Sequence, residues 1–164
     1  MKSRLQVAGH PIHAMLVGFP IGLYTSSLVC DLLFALLREP FWFRAAFWAI
    51  LFGLVGHVAA AATGVPDFLA VMKEQREARR AASSHLIFGV GLLIVQALNL
   101  GLRNGGDLPA GGSAGLPLIV NLIASGVLGL QGWYGGELVY RHFVGVDVPD
   151  PAPAHQGGKH KAKH

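Results

Sequence analysis

"IHAMLVGFPIGLYTSSLVCDLLFALL", residues 12–37, contains one charged side chain, Asp31. A helix rising about 1.5 Å per residue needs roughly 20 such residues to cross a hydrocarbon layer about 30 Å thick. The stretch therefore reads as a membrane span. Working outward, residues 45–65, 86–102 and 116–136 carry no Asp, Glu, Lys or Arg and repeat the pattern. The whole chain of 164 residues is 52% hydrophobic and 13% charged, with mean hydropathy +0.48, unlike a soluble domain. The expected fold is all-α: an integral membrane four-helix bundle, up-down-up-down, over residues 1–147. Residues 148–164, rich in Pro, Gly, His and Lys with little to bury, read as a disordered tail.

Lys2 and Arg4 precede the first span much as they would in a secretory signal. The apolar segment is too long for one, and no small-x-small cleavage site follows, so the span reads as retained. With four spans, the face holding both termini and the 66–84 connection collects Lys2, Arg4, Lys73, Arg76, Arg79, Arg80, Arg141, Lys159, Lys161 and Lys163. The opposite face holds Arg38, Arg44 and Arg103. Positive loops stay inside, so both termini are expected in the cytoplasm and the protein in the inner membrane. The pI near 9.6 reflects this topology and contact with anionic lipid, not nucleic acid. Cys30, the single cysteine, has no intrachain disulfide partner and reads as a small buried apolar residue.

Pro11 suits a helix start, which places His10 near the N-cap and His13 in the opening turn. Pro20 is expected to bend the first helix, and Arg38-Glu39-Pro40 to end it. Trp42, Phe43 and Trp48 sit like an interfacial belt. Residues 67–82, apolar early and charged late, suggest an interfacial helix between spans 2 and 3, and Ser83-Ser84 a cap for span 3. In span 2, Gly53, His57, Ala60, Ala61 and Gly64 share a face that admits a close neighbour or a flat ligand. In span 3, His85, Phe88, Gly89, Leu92 and Gln96 share a face that Asn99 continues. In span 4, Asn121, Ser125, Gly129, Gly132 and Gly136 form a small-polar face suited to an internal contact or a homo-oligomer.

Histidines gather at one end of this bundle: His10, His13, His57, His85 and His142, with Asp67 and Glu137. Neutral imidazole is the commonest metal ligand and also ligates haem, and bundle cores house such groups. His13, His57 and His85 are the candidates for haem b, with the Gly and Ala faces making room for the macrocycle. His10, His13, Asp67, His85 and His142 are the candidate ligands for Fe, Cu or Zn. His57, deep in its span, needs a polar partner, for which Gln96, Asn121 or a metal is available. Asp31 is expected to pair with Arg44 or Arg38 as a structural contact. His155, His160 and His164 in the tail read as part of a solvated basic segment or a loose metal site. No nucleophile elbow, phosphate loop or dinucleotide fingerprint is present, so enzyme activity stays open.

"GHPIHAMLVGFPIGL" at the start, "AAAATGVPDFLAV" with His85 in the middle, and "GWYGGELVYRHFVGV" from Gly132 to Val146 resemble the bacterial membrane proteins grouped as domain of unknown function 2231. The resemblance covers roughly residues 8–147. It implies a four-span domain of unassigned activity. Relatives joined to Rieske iron–sulfur or c-type cytochrome domains imply electron transfer, with the partner here on another chain. The family's opening is similar to His-Pro-x-His-Pro, so His10, Pro11 and His13 carry over while Ala14 replaces the second proline. Gly135, Gly136, Glu137, Tyr140, Arg141 and His142 also carry over, with Phe143 where glycine is usual. His57 is outside the family pattern. The alternatives are a cofactor-free membrane subunit, with histidines capping helices, and a small-solute transporter lined by His57, Gln96, Asn121 and Ser125.

Overall fold

The computed structural model describes residues 1–108 and 114–146. The tail, with His155, His160 and His164, lies outside the described residues. The elements in chain order are β1 (Gln6–Val7), β2 (His10–Pro11), α1 (Ile12–Leu16), α2 (Gly18–Leu37), α3 (Pro40–Glu74), α4 (Arg79–Gly101) and α5 (Gly115–Tyr140). Short 3-10 turns, Arg76–Ala78 and Asn104–Gly106, lie either side of α4. Among the described residues, four helical stretches are long and apolar enough to cross a membrane: Ile12–Leu37, Pro40–Glu74, Arg76–Gly101 and Gly115–Tyr140. The expected all-α bundle is therefore observed.

Local chemistry explains the breaks. The strands β1 and β2 pair antiparallel, Gln6 opposite Pro11 and Val7 opposite His10. Ala8 and Gly9 turn between them with φ of 50° and 80°, the left-handed pair that a two-residue hairpin requires. His10 consequently lies in a strand, and Pro11 itself is the N-cap of α1, which corrects the expected helix start. The first span is interrupted at Val17. Pro20 offers no N–H to the Leu16 carbonyl four residues back, so the ladder breaks there and resumes with Ile21 N donating to Val17 O at 3.3 Å. The helix α2 ends on Arg38 in the left-handed region, φ 59°, and Pro40 opens α3 as expected.

The connection between spans 2 and 3 differs from expectation. Instead of a separate interfacial helix, α3 runs unbroken through Pro66 to Glu74, and α4 starts at Arg79 after a single 3-10 turn. Ser83 and Ser84 lie inside α4, and no side chain caps its start. Charged residues at 73–80 mark departure from lipid but do not interrupt backbone hydrogen bonding, so the helices extend past the apolar runs.

Around the bundle, α2 packs against α3, α3 against α4, α4 against α5 and α5 against α2, while α1 packs on α3. The residue distribution is inside-out. Leu36 (79% exposed), Phe19, Phe52, Val55, Ile87, Ile94, Leu98, Ile119 and Ile123 face outward, whereas Ser27, Asp31, His57, Gln96, Asn99, Arg103 and Asn121 are buried. A surface like this suits lipid, where polar groups must be satisfied inside the protein. Apolar packing completes the core through Tyr24, Leu92 and Ala124 near the middle and Val71, Ala78 and Ala82 at the terminal end.

Candidate functional site

Two polar clusters lie inside the bundle. Toward the end that lacks the termini, Asp31 of α2 accepts two hydrogen bonds from Arg103, at 2.8 and 2.6 Å, and a third from Asn121 Nδ2 at 2.7 Å. Arg103 Nε also donates to Asn99 Oδ1 at 3.2 Å, and its guanidinium lies 5.1 Å from the Phe43 ring centre. The side chains of Arg103 and Asp31 are 0% and 2% exposed. Asn99 donates to Gln96 and Gln96 to Asn121, and Asn121 and Ser27 bond each other. The network joins α2, α4 and α5 and satisfies a buried charge with geometry that only a planar guanidinium supplies.

This corrects the expected pairing of Asp31. Its partner is Arg103. Arg44 lies 3.8 Å from the exposed Asp107, and Arg38 terminates α2. Sequence reasoning assigned Arg103 to the loop and passed over Ser27. The signal was spacing. Tyr24, Ser27 and Asp31 on α2, and Gln96 and Asn99 on α4 with Arg103 just past its end, each recur at i, i+3 and i+7, one polar ridge per span. Gln96 and Asn121 bond within this network and not to His57, and Ser125 Oγ donates to the Asn121 carbonyl. The residues suggested to line a transport path are thus engaged with one another, apart from His57.

The second cluster contains the imidazoles. His13 Nδ1 lies 2.7 Å from the Ala60 carbonyl of α3, and His85 Nδ1 lies 3.0 Å from the Gln131 carbonyl of α5. A carbonyl only accepts, so both Nδ1 atoms carry the proton and a neutral ring presents Nε2 as its lone pair. The two ring centres are 6.4 Å apart with planes at 87°. His57, buried, has Tyr24 as its partner, Oη to Nδ1 at 3.4 Å with rings 6.0 Å apart.

Glycines make space for these rings. A Cβ at Gly64 would stand 2.9 Å from His13, one at Gly135 3.1 Å from His85, one at Gly53 2.6 Å from Tyr24 and one at Gly89 2.9 Å from Gln131 Nε2. The clearings that the sequence offered to a flat macrocycle are therefore filled by the protein's own side chains. Tyr24 and Gln131 are the members of this cluster that sequence reasoning missed.

The remaining candidate ligands are placed elsewhere. His10 is exposed, with Nδ1 3.0 Å from the Ala8 carbonyl. Asp67 uses both oxygens to hold the N-terminal segment, accepting from Ser3 Oγ at 2.7 Å and from the Arg4 amide. His142 Nε2 lies 3.9 Å from Glu137, which also receives Arg141 at 3.4 Å. The set His10, His13, Asp67, His85 and His142 is thus not brought together, and His13 and His85 are the two that meet. Among the described residues, no three of His, Cys, Asp and Glu are placed to share one ion.

A family model described as "predicted membrane protein (DUF2231)" matches residues 9–148. No curated protein and no solved structure matches the chain. Phe143, where glycine is usual in the resemblance, adopts a left-handed φ of 52°, a conformation that glycine takes without steric cost.

Proposed function

Because the chain belongs to the DUF2231 family of membrane proteins, we propose that its imidazole cluster ligates a redox metal centre on the cytoplasmic side of the inner membrane and serves electron transfer. Both termini lie in the cytoplasm on this reading, and the electron partner, a Rieske or cytochrome domain, is another chain. One observation carries the proposal: His13 and His85 come from different helices, and each has its Nδ1 anchored to a main-chain carbonyl. That is the outer-shell arrangement of metal-ligating histidine, which fixes tautomer and ring orientation. The 6.4 Å between ring centres also agrees with two opposed imidazoles sharing an ion, since metal–nitrogen bonds of about 2.0–2.1 Å put opposed ring centres roughly 6 Å apart. His57 is the further candidate ligand.

Of the two groups expected from the sequence, haem b or a Fe, Cu or Zn ion, this reading takes the ion. Tyr24 and Gln131 already stand in the clearings at Gly53 and Gly89, which supports the smaller group. Among ions, imidazole suits all three, and only Fe and Cu change valence.

A second reading, a cofactor-free membrane subunit, is favoured by the partners that His10, His13, His57 and His85 already have within the protein. One experiment separates the two. The protein is purified in detergent from metal-replete cells, and its visible spectrum, metal content and melting temperature are recorded beside His85→Ala. The metal reading expects near-stoichiometric metal in the wild type and a drop of tenfold or more in the variant. It also expects added metal to stabilise only the wild type, by about 2.7 kcal/mol at a hundred times Kd. A colourless, metal-free wild type that added metal does not stabilise refutes it.

A further inference from the structure

At the terminal end, the end of α3, the 3-10 turn between α3 and α4 and the segment just after α5 border an open concavity of about 490 Å³. Gln75, Arg76, Glu77, Arg141, His142 and Phe143 line it. Its depth is set by the helices. Leu69 on α3 and Val139 and Tyr140 on α5 are the last large outward-facing apolar residues of their helices; the lining begins five residues after Leu69 and directly after Tyr140. The cavity therefore stands at the level of lipid headgroups.

The lining asks for a ligand with both signs. Arg76 and Arg141 present guanidinium donors. Arg141, 77% exposed, gives Glu137 only a 3.4 Å bond, so most of its fork remains available. Glu74 at the edge is already held by Arg4. In this wall Gln75 Oε1 is buried without a hydrogen-bond partner, an acceptor waiting for a donor. Buried polar atoms are normally satisfied, and this orphan beside a concavity points to a missing partner. Glu77 adds a carboxylate on the same side as Gln75.

We propose that this cavity binds the headgroup of one phosphatidylethanolamine molecule. Arg76, Arg141 and His142 receive the phosphodiester, while Gln75 Oε1 and Glu77 receive the primary ammonium. Phe143, half-exposed at the rim, packs on the glycerol backbone. A choline headgroup has the same phosphate and the same charge but no N–H, so it leaves Gln75 unsatisfied. Guanidinium forks suit phosphate, and a cavity of this size holds a headgroup with its glycerol.

The test uses the full chain in detergent, delipidated and then titrated with short-chain phosphatidylethanolamine, phosphatidylcholine, phosphatidylglycerol or inorganic phosphate. Melting temperature and native mass spectrometry are the readouts. The expected result is one retained phosphatidylethanolamine per chain, at least tenfold tighter than phosphatidylcholine. R76Q/R141Q should weaken both lipids tenfold or more. Q75L should abolish the preference between them while phosphatidylcholine binding is unchanged. All three positions are at least partly exposed, and lipid-free melting checks that each variant folds. Equal wild-type affinity for the two lipids overturns the proposal and requires no variant. So does phosphatidylglycerol binding as tightly as phosphatidylethanolamine, which would be a surface-charge effect. A shift from inorganic phosphate alone equal to that from the lipid would make the cavity a free-phosphate site, and an unchanged R76Q/R141Q would remove the guanidiniums from it.

Discussion

Replacing Asp31 by Ala removes the acceptor of three hydrogen bonds, two from Arg103 and one from Asn121. The guanidinium stays 0% exposed and keeps only the Asn99 bond and the Phe43 ring. Breaking a buried pair by deleting one partner costs about 3–5 kcal/mol, and an unpaired charge deep in a membrane costs about 2.5–3.5 kcal/mol on insertion scales, so the two routes agree. A neutral interhelical hydrogen bond in membranes averages only about 0.6 kcal/mol. The charge left behind therefore dominates the loss. D31A is expected to lose about 3–5 kcal/mol, and D31L/R103M, which removes both charges, to lie within about 2 kcal/mol of wild type. The assay is reversible unfolding in mixed micelles for wild type, D31A, R103A and D31A/R103A. The double-mutant cycle should give a coupling of at least about 2 kcal/mol. A D31A loss below about 1 kcal/mol, or single losses that simply add in the double variant, would refute the claim that this pair closes the bundle.

Two further expectations follow from the same geometry. Gly64→Ala places a methyl 2.9 Å from the His13 ring and should cost about 1–3 kcal/mol as overpacking, whereas Gly129→Ala, with nothing within 4 Å, should be neutral or gain up to about 1 kcal/mol. Equal melting temperatures for the two variants would dismiss the glycine clearings as a packing device. Arg38→Gly removes an exposed side chain from a left-handed residue, φ 59°, at the end of α2. A gain of about 1 kcal/mol is expected in the same unfolding assay, and a loss would show that the Arg38 side chain contributes more than its backbone costs.

The spans were legible because lipid imposes a long uncharged run, and that signal needs no tertiary information. Their ends were not. Residues 67–82 carry charges that announce an exit from lipid, but a helix persists through such a change, so α3 and α4 claim most of the segment. The site was half legible. His13 and His85 follow from the starts of apolar runs on one side of the bundle, but the ring contacts that fill Gly64 and Gly135 depend on which helices neighbour each other. The partner of Asp31 was obscured by proximity in sequence. Arg38 and Arg44 are 7 and 13 residues away, while Arg103, 72 residues away, is brought to it by the fold.

That separation has a bearing on biosynthesis. Ribosomes add about 5–20 residues per second, so residue 103 emerges roughly 4 to 14 s after residue 31. During that interval the first hairpin carries an acidic side chain into the translocation machinery with its counter-charge not yet made. The nascent chain must either be held at the lateral gate or tolerate a lone carboxyl until the third span arrives. The last polar clasp, through Asn121, waits for the fourth.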